Sequence, residues 1–121
     1  MKILQVSWTR GPGDTVIIAR RVEIADNFFS RGKGLLGRSF LAPQTGLLIR
    51  PCNSIHTFFM QFPIDVIFLD GQGQVIKIQR NLAPWRLVWP SWRATQVLEL
   101  PAQTIPDDLP LMARLDLCIN S

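Results

Sequence analysis

The first quarter of the chain alternates between apolar and polar residues in two segments, residues 2–8 and residues 15–24. A repeat of two residues is typical of a strand with one buried face. Residues 10–14, between the two segments, contain two glycines and a proline and are a strong turn signal. We therefore predict a β-hairpin. Its apolar positions are Leu4, Val6 and Trp8 in the first strand and Val16, Ile18, Val22 and Ile24 in the second.

After the hairpin the pattern changes and predicts one short helix in the N-terminal third of the chain. Asp26 suits the N-cap, because its carboxylate can accept hydrogen bonds from the free amides of the first turn. Gly37 suits the C-cap. The apolar stripe of this helix, at positions i, i+7 and i+8, consists of Phe28, Leu35 and Leu36.

After Pro43, short apolar runs separated by proline and glycine predict strands for most of the remaining chain. A short helical turn is predicted over residues 107–113, after Pro106. This succession indicates a mostly β (α+β) fold, in which a compact antiparallel sheet forms a barrel or a sandwich. The predicted strand segments are residues 46–50, 54–59, 64–69, 74–80, 94–100 and 115–119. The four-residue turn 70–73, with two glycines, predicts a second hairpin between residues 64–69 and 74–80.

The composition fits a single domain over residues 1–121, with 47% hydrophobic residues to build one core. Thirteen Lys and Arg against nine Asp and Glu give a formal charge of +4, which permits an anionic partner without requiring one. Gln5, Ser7 and Thr9 interrupt the apolar residues of the N-terminus. We therefore expect no signal peptide, no membrane span and a cytoplasmic location.

The two cysteines, Cys52 and Cys118, are far apart in the sequence, and there is no C-x-x-C pair. One histidine is too few to complete a zinc site with them. We therefore expect two reduced, buried thiols and neither a metal nor another cofactor.

Residues 54–70 are the most distinctive stretch, because isolated polar side chains interrupt apolar runs. Asp65 lies in a strand that is apolar on both faces, and a buried carboxylate without partners is strongly unfavourable. His56, the only histidine, is the nearest candidate partner, and Glu99 is a second acid within an apolar strand. The candidate ligand-binding residues are His56, Met60, Asp65 and Glu99.

Two interpretations of these residues stay open. In the structural one, Asp65 accepts backbone amides near Pro63, His56 caps a neighbouring strand and Glu99 points to solvent. In the functional one, the side chains line a pocket for a small polar ligand, with His56 as proton donor or acceptor. A hydrolase based on Ser54 is disfavoured, because the sequence has no G-x-S-x-G turn.

Residues 84–93 interleave three tryptophans with arginines. Such rings can stack on bases or sugars while the cations contact phosphates. In the other interpretation, the rings cover a sheet edge or a barrel mouth and the arginine stems pack over them. The candidate surface-binding residues are Arg80, Trp85, Arg86, Trp89, Trp92 and Arg93.

Five stretches of the chain carry a resemblance to a known family: residues 31–38, 46–49, 56–60, 62–70 and 94–102. The most specific part is Met-x-Phe-Pro-Ile-Asp-Val-x-Phe-Leu-Asp, which begins at Met60. Over about residues 20–119 the chain resembles the bacterial and archaeal domain of unknown function 192, DUF192. The resemblance implies a small, mostly β single domain with a helix near its N-terminal third. It implies no established activity, substrate, cofactor or catalytic residue, and Gln103 replaces a typical glycine of the family.

These features predict an uncharacterised small domain that binds a small molecule or a protein partner in a polar pocket near His56, Met60, Asp65 and Glu99. The alternative is a binder of nucleic acid or an anionic surface through the Trp/Arg segment. An enzyme of unrecognised type is the third interpretation.

Overall fold

The computed structural model describes residues 2–27, 35 and 38–120, and nine β-strands occur among them. Both predicted hairpins are confirmed, because β1 pairs with β2 and β5 pairs with β6, each pair antiparallel. The strands are β1 (Ile3–Gly11), β2 (Asp14–Ala25), β3 (Thr45–Ile49), β4 (Ile55–His56), β5 (Ile64–Leu69), β6 (Val75–Leu82), β7 (Leu87–Val88), β8 (Gln96–Pro101) and β9 (Leu115–Asn120).

Seven strands form one sheet in the order β6-β5-β8-β3-β2-β1-β9, while β4 and β7 form a separate two-stranded sheet. The large sheet is curled, since Val75 at the start of β6 exchanges hydrogen bonds with Met112 and Ala113, just before β9. Gly73 permits this approach, because its φ is 83° and a Cβ there would lie 2.8 Å from the carbonyl oxygen of Leu115. The two edges of the sheet therefore come together at one end.

The predicted fold class is wrong on two points, and the first is strand direction. The large sheet is mixed, because β2 and β3 run parallel, from Arg21 opposite Thr45 to Ala25 opposite Ile49. A parallel pair needs a long crossover connection, which residues 26–44 supply. Alternation of side chains along a strand carries no information about the direction of its neighbour.

The second error concerns helices, since the described residues contain none. Residues 107–113 form successive turns, in which Leu109 N donates to Pro106 O at 3.2 Å and Ala113 N donates to Pro110 O at 3.3 Å. Pro110 has no amide hydrogen, and its ring obstructs a continuous helix through this segment.

The other predicted helix, over residues 26–37, falls largely outside the described residues. Of its apolar stripe only Leu35 is described, and this residue is buried within a turn.

Apolar side chains bury both faces of the large sheet. All six residues of β5 are buried, as expected for a strand between two neighbours and covered on both sides. We call the face that carries Ile67 and Leu69 the first face, and the face that carries Val66 and Phe68 the second face. Core residues of the first face include Leu4, Val6, Ile18, Val22, Leu98, Leu100, Ile105 and Leu109. Those of the second face include Leu35, Leu41, Leu47, Ile49, Ile55, Met60, Val88 and Val97.

The two-stranded sheet covers part of the second face. Ile55 of β4 pairs with Val88 of β7, and both side chains belong to the core of the second face. One side of this small sheet is therefore anchored, and its other side is directed outward.

Candidate binding surface

Asp65 is buried on the first face, and backbone amides satisfy both of its carboxylate oxygens. Oδ1 accepts from Asn81 N at 2.8 Å, and Oδ2 accepts from Thr104 N at 2.9 Å and Ile105 N at 3.0 Å. The donors thus lie far along the chain rather than near Pro63. The structural interpretation expected backbone amides near Pro63, whereas here the amides belong to two distant segments that Asp65 connects to β5.

Arg80 is bound to the same distant segment as Asp65. Its guanidinium donates to Ile105 O and to Pro106 O, each at 2.9 Å. The sequence predicted Arg80 as a surface-binding cation. Its guanidinium instead binds two backbone carbonyls and holds β6 against residues 105–106.

Glu99 is buried with 3% of its surface exposed, so the expectation that it points to solvent is wrong. It pairs with Leu47 of β3 and Val66 of β5 and therefore lies on the second face. Its Oε1 is buried without a hydrogen-bond partner. Burial raises the pKa of Glu99 to about 7, and the nearby positive charge of Arg38 partly opposes this rise.

The other two predicted ligand-binding residues lie near the small sheet. Met60 is buried in the core of the second face, whereas His56 is exposed on β4 and its Nδ1 accepts from Phe58 N at 3.3 Å. Met60 and Glu99 thus share the second face, while Asp65 lies on the first. The thickness of the sheet separates Asp65 from Glu99.

The outward side of the small sheet exposes a group of large apolar side chains. Along residues 85–89, Val88 enters the core and Trp85, Leu87 and Trp89 stay exposed. His56 lies opposite Leu87 in the pair β4–β7. We define the aromatic surface as His56, Phe58, Phe59, Trp85, Arg86, Leu87 and Trp89.

Rings of the aromatic surface pack against one another. The ring centroids of Phe59 and Trp85 are 4.6 Å apart, and those of His56 and Phe58 are 4.9 Å apart in a stacked arrangement. Phe58 and Trp85 are 6.1 Å apart and connect the two pairs. Trp89 is 74% exposed, so most of its area is available to a partner.

Two of these aromatic residues have an unusual backbone conformation. Phe59 has a φ of 67° and Trp85 a φ of 64°, in the left-handed region that bulky residues seldom adopt. Each such residue costs on the order of 1–3 kcal/mol, and this strain clusters at functional sites. The two strained residues are also the pair with the shortest ring separation on the aromatic surface.

Thr57 holds the backbone of these two strained residues in place. It is fully buried, and its Oγ1 donates to Ala83 O at 2.7 Å and accepts from Arg86 N at 2.8 Å. Its backbone N donates to Arg86 O at 2.8 Å. Its carbonyl oxygen accepts from Trp85 N at 2.9 Å and from Met60 N at 3.2 Å. Thr57 therefore joins the two loops from which the aromatic side chains project.

The two chain segments that carry the aromatic surface contain basic but no acidic residues. Residues 50–64 and 81–95 contain three arginines and no Asp or Glu. Arg86 is exposed, and so are Trp92 and Arg93 in the turn that follows β7. The Nη2 of Arg93 contacts the Sδ of Met112 at 3.8 Å. The thioether is uncharged, so this contact does not neutralise the guanidinium.

The sequence predicted Trp85, Arg86 and Trp89 as surface residues but missed Thr57, Phe58 and Phe59. The available signal was the two-residue period of Trp85, Leu87 and Trp89. It was not decisive, because the opposite side of this segment combines Arg86 with Val88 and the charge at Arg86 favours that side as the outward one.

Other predictions concern metals, thiols and membranes. Within the described residues, no group of three His, Cys, Asp or Glu side chains is arranged to hold a metal ion. Cys52 and Cys118 form no disulfide, and Cys118 is exposed rather than buried as expected. In the same part of the chain, no helix has the length and apolar character needed to cross a membrane.

Together these features define a small β-domain in which a curled mixed sheet supports a two-stranded sheet with an exposed aromatic side. The chain belongs to the DUF192 family, described as Uncharacterized ACR, whose sequence pattern matches residues 10–107. The resemblance predicted from the sequence is therefore confirmed, and the protein is an uncharacterised small domain of this family.

Relatives designated UPF0127 proteins occur in archaea. The chain is 40% identical over 93 residues to a UPF0127 protein of Thermococcus sibiricus, an alignment that covers 70% of this chain and 57% of that protein. It is 42% identical over 86 residues to a UPF0127 protein of Pyrococcus horikoshii, with coverage of 66% and 71%. The chain thus spans little more than half of the Thermococcus relative.

Two crystal structures have a similar fold. A candidate transcription regulator of Sinorhizobium meliloti matches with a TM-score of 0.80 and 24% identity, over 95% of this chain and 93% of that one. A protein of unknown function from Novosphingobium aromaticivorans matches with a TM-score of 0.78 and 21% identity, over 94% and 84%. At these identities the similarity establishes the fold alone.

Proposed function

We propose that this protein is a binding module that contacts single-stranded nucleic acid through the aromatic surface. The observation that carries the proposal is the combination of exposed rings and arginines in two segments without a single acid. Aromatic side chains stack on unpaired bases, and each stacked base contributes about 1–3 kcal/mol. Arginines beside them neutralise phosphates.

The arrangement of the rings supports this assignment over a purely structural role. A ring that only covers a sheet edge loses most of its accessible surface, whereas Trp89 is 74% and Trp92 86% exposed.

Fluorescence anisotropy with a labelled oligothymidylate at low salt tests the proposal. We expect binding by the wild-type chain and at least tenfold weaker binding by Trp89→Ala. The pair Arg86→Ala with Arg93→Ala should have a similar effect. Arg114→Gln, which removes one positive charge beside the β5–β6 turn, where Arg114 donates to Gln72 O, is the control for an effect of net charge alone. Equal affinity of all variants, or no binding at low salt, would refute the proposal.

Vesicles containing anionic lipid separate this function from membrane attachment. Trp, Phe and Arg side chains also favour the membrane interface. Sedimentation with anionic vesicles, in the absence of oligonucleotide binding, would assign the same surface to a membrane and contradict our proposal.

We also propose the cytoplasmic location expected from the sequence, because single-stranded nucleic acid is a ligand of the cell interior. Fractionation of cells that express the full-length protein tests it. A pocket lined jointly by His56, Met60, Asp65 and Glu99 stays a prediction, and the contacts of Asp65 with three amides do not favour it.

A further inference from the structure

A second potential binding site lies away from the aromatic surface, where β2 and β3 begin their parallel pairing. A cavity of about 220 Å³ is present there. Its walls include Arg21 and Glu23 of β2, Thr45 of β3, and Arg38, Phe40 and Leu41 of the preceding connection. Ligand sites for drug-sized molecules have volumes of about 300–1,000 Å³, so this cavity suits a smaller molecule.

The cavity has a positive balance of charge. Arg38 pairs with Glu23 at 3.5 Å, a long and partly exposed contact. The guanidinium of Arg21 makes no hydrogen bond or ion pair within the described part of the chain, and this residue is exposed. Two arginines therefore share one wall carboxylate, which leaves one positive charge uncompensated.

Glu99 does not neutralise the uncompensated positive charge of the cavity at acidic to neutral pH. It lies next to Leu47, and Leu47 pairs on its other side with Glu23, so both acids occupy one row across the second face. Its burial raises its pKa to about 7, and the neutral form therefore predominates below that pH. The charge of Arg38 is then shared with Glu23 and not with Glu99.

An apolar wall accompanies the two arginines. The side chain of Phe40 is 68% exposed beside the cavity, while Leu41 is buried in the core of the second face. A ligand with a ring would cover Phe40 while its acidic group meets the arginines. Arginine suits this role because its planar guanidinium binds carboxylates and phosphates with two parallel hydrogen bonds.

We propose that this cavity binds a small organic anion, with its acidic group between Arg21 and Arg38 and its apolar ring against Phe40. The site is independent of the proposed nucleic-acid function, because its residues belong to β1, β2, β3 and the segment before β3 and none of them is part of the aromatic surface. Its ligand is a single small molecule and not a polymer.

An NMR titration of the isotope-labelled chain with benzoate tests the site. We expect shifts of the amide signals of residues 21–23 and 38–46, and a dissociation constant at least tenfold higher in Arg21→Gln. Phe40→Ala should weaken benzoate without changing the net charge of the chain. Arg114→Gln is the charge-matched control and should bind benzoate as the wild type does.

Benzylamine is the control ligand, because it has the same ring with the opposite charge. Benzylamine binding that equals benzoate binding would overturn the proposal. So would benzoate binding that is unchanged in Arg21→Gln, or shifts confined to the aromatic surface. If the wild-type chain binds benzoate but binds no oligonucleotide, only the function proposed above is refuted.

Discussion

At the scale of single residues, the candidate surface depends on side chains that are themselves buried. Thr57 makes no contribution to the exposed area, yet its backbone and hydroxyl bind both loops that present the rings. A buried polar group with all its partners stabilises one arrangement, whereas a partner left unpaired is costly. The hydrogen bonds of the buried Thr57 therefore fix the positions of the exposed aromatic side chains.

Replacement of Thr57 by valine tests this dependence. The substitution conserves the shape but leaves Arg86 N and Ala83 O without their hydroxyl partner. We expect the free energy of unfolding to fall by about 1–3 kcal/mol. Oligonucleotide affinity should fall as well, since Trp85 and Phe59 lose their fixed positions. Urea denaturation and anisotropy measure the two effects, and Thr57→Ser, which keeps the hydroxyl, should restore most of both.

Glu99 predicts a pH dependence of stability. Its pKa is raised to about 7 in the folded protein from its ordinary value of 4.5, so between these values the folded state binds more protons than the unfolded state. The free energy of unfolding should therefore decrease as the pH rises from 4.5 to about 7, by roughly 3 kcal/mol in total.

The variant Glu99→Gln isolates this contribution. It should be increasingly more stable than the wild type as the pH rises through this window, and the difference should level off above pH 7. Thermal or urea denaturation at a series of pH values measures it. A constant difference between the two proteins at all pH values would contradict the assignment.

At the scale of elements, residues 104–106 are attached to the sheet by polar contacts from two strands. Asp65 of β5 accepts two of their amides, and Arg80 of β6 donates to two of their carbonyls. Ile105, between these contacts, is buried in the core of the first face. The segment closes this core although it has no regular secondary structure.

Asp65→Asn tests the attachment of this segment. An amide side chain has one acceptor oxygen, while three backbone amides converge on Asp65. We expect a loss of about 2–4 kcal/mol in the free energy of unfolding, because buried donors are left unpaired. Asp116→Asn, at an exposed position of β9, is the matched control and should change stability little. Equal stability of both variants would show that the carboxylate of Asp65 is dispensable.

At the scale of the whole molecule, the two proposed sites divide the positive charge between separate regions. Arg86 belongs to the aromatic surface and Arg93 lies in the turn after β7, whereas Arg21 and Arg38 line the cavity beside β2. These four arginines are among the thirteen Lys and Arg residues that give the chain its formal charge of +4.

Salt dependence should report the two arginines, Arg86 and Arg93, that we propose contact phosphates. For single strands the logarithm of the binding constant falls with the logarithm of the salt concentration, by about 0.7 for each neutralised phosphate. If Arg86 and Arg93 each contact one phosphate, their removal should reduce this slope by about 1.4. Anisotropy titrations at several salt concentrations measure the slope, and an unchanged slope would exclude both arginines from phosphate contact.

Several parts of this protein follow from its sequence alone. The alternation of residues 2–8 and 15–24 and the Asp70–Gly73 turn specified two hairpins, because register and turn chemistry are local properties. The apolar run around Asp65 indicated a central strand, because both of its faces must be covered. The long family motif was sufficient to assign the family.

Only the tertiary structure decided which residues meet. The donors to Asp65 are 16 and 39–40 residues away, and the parallel pairing of β2 with β3 depends on a crossover, so neither leaves a local signal. Likewise, Trp89 and Val88 are equally apolar in sequence, and the anchoring of one side of the small sheet determines which is exposed. Local chemistry fixes turns and strand faces, whereas long-range packing selects the surface that is left for a partner.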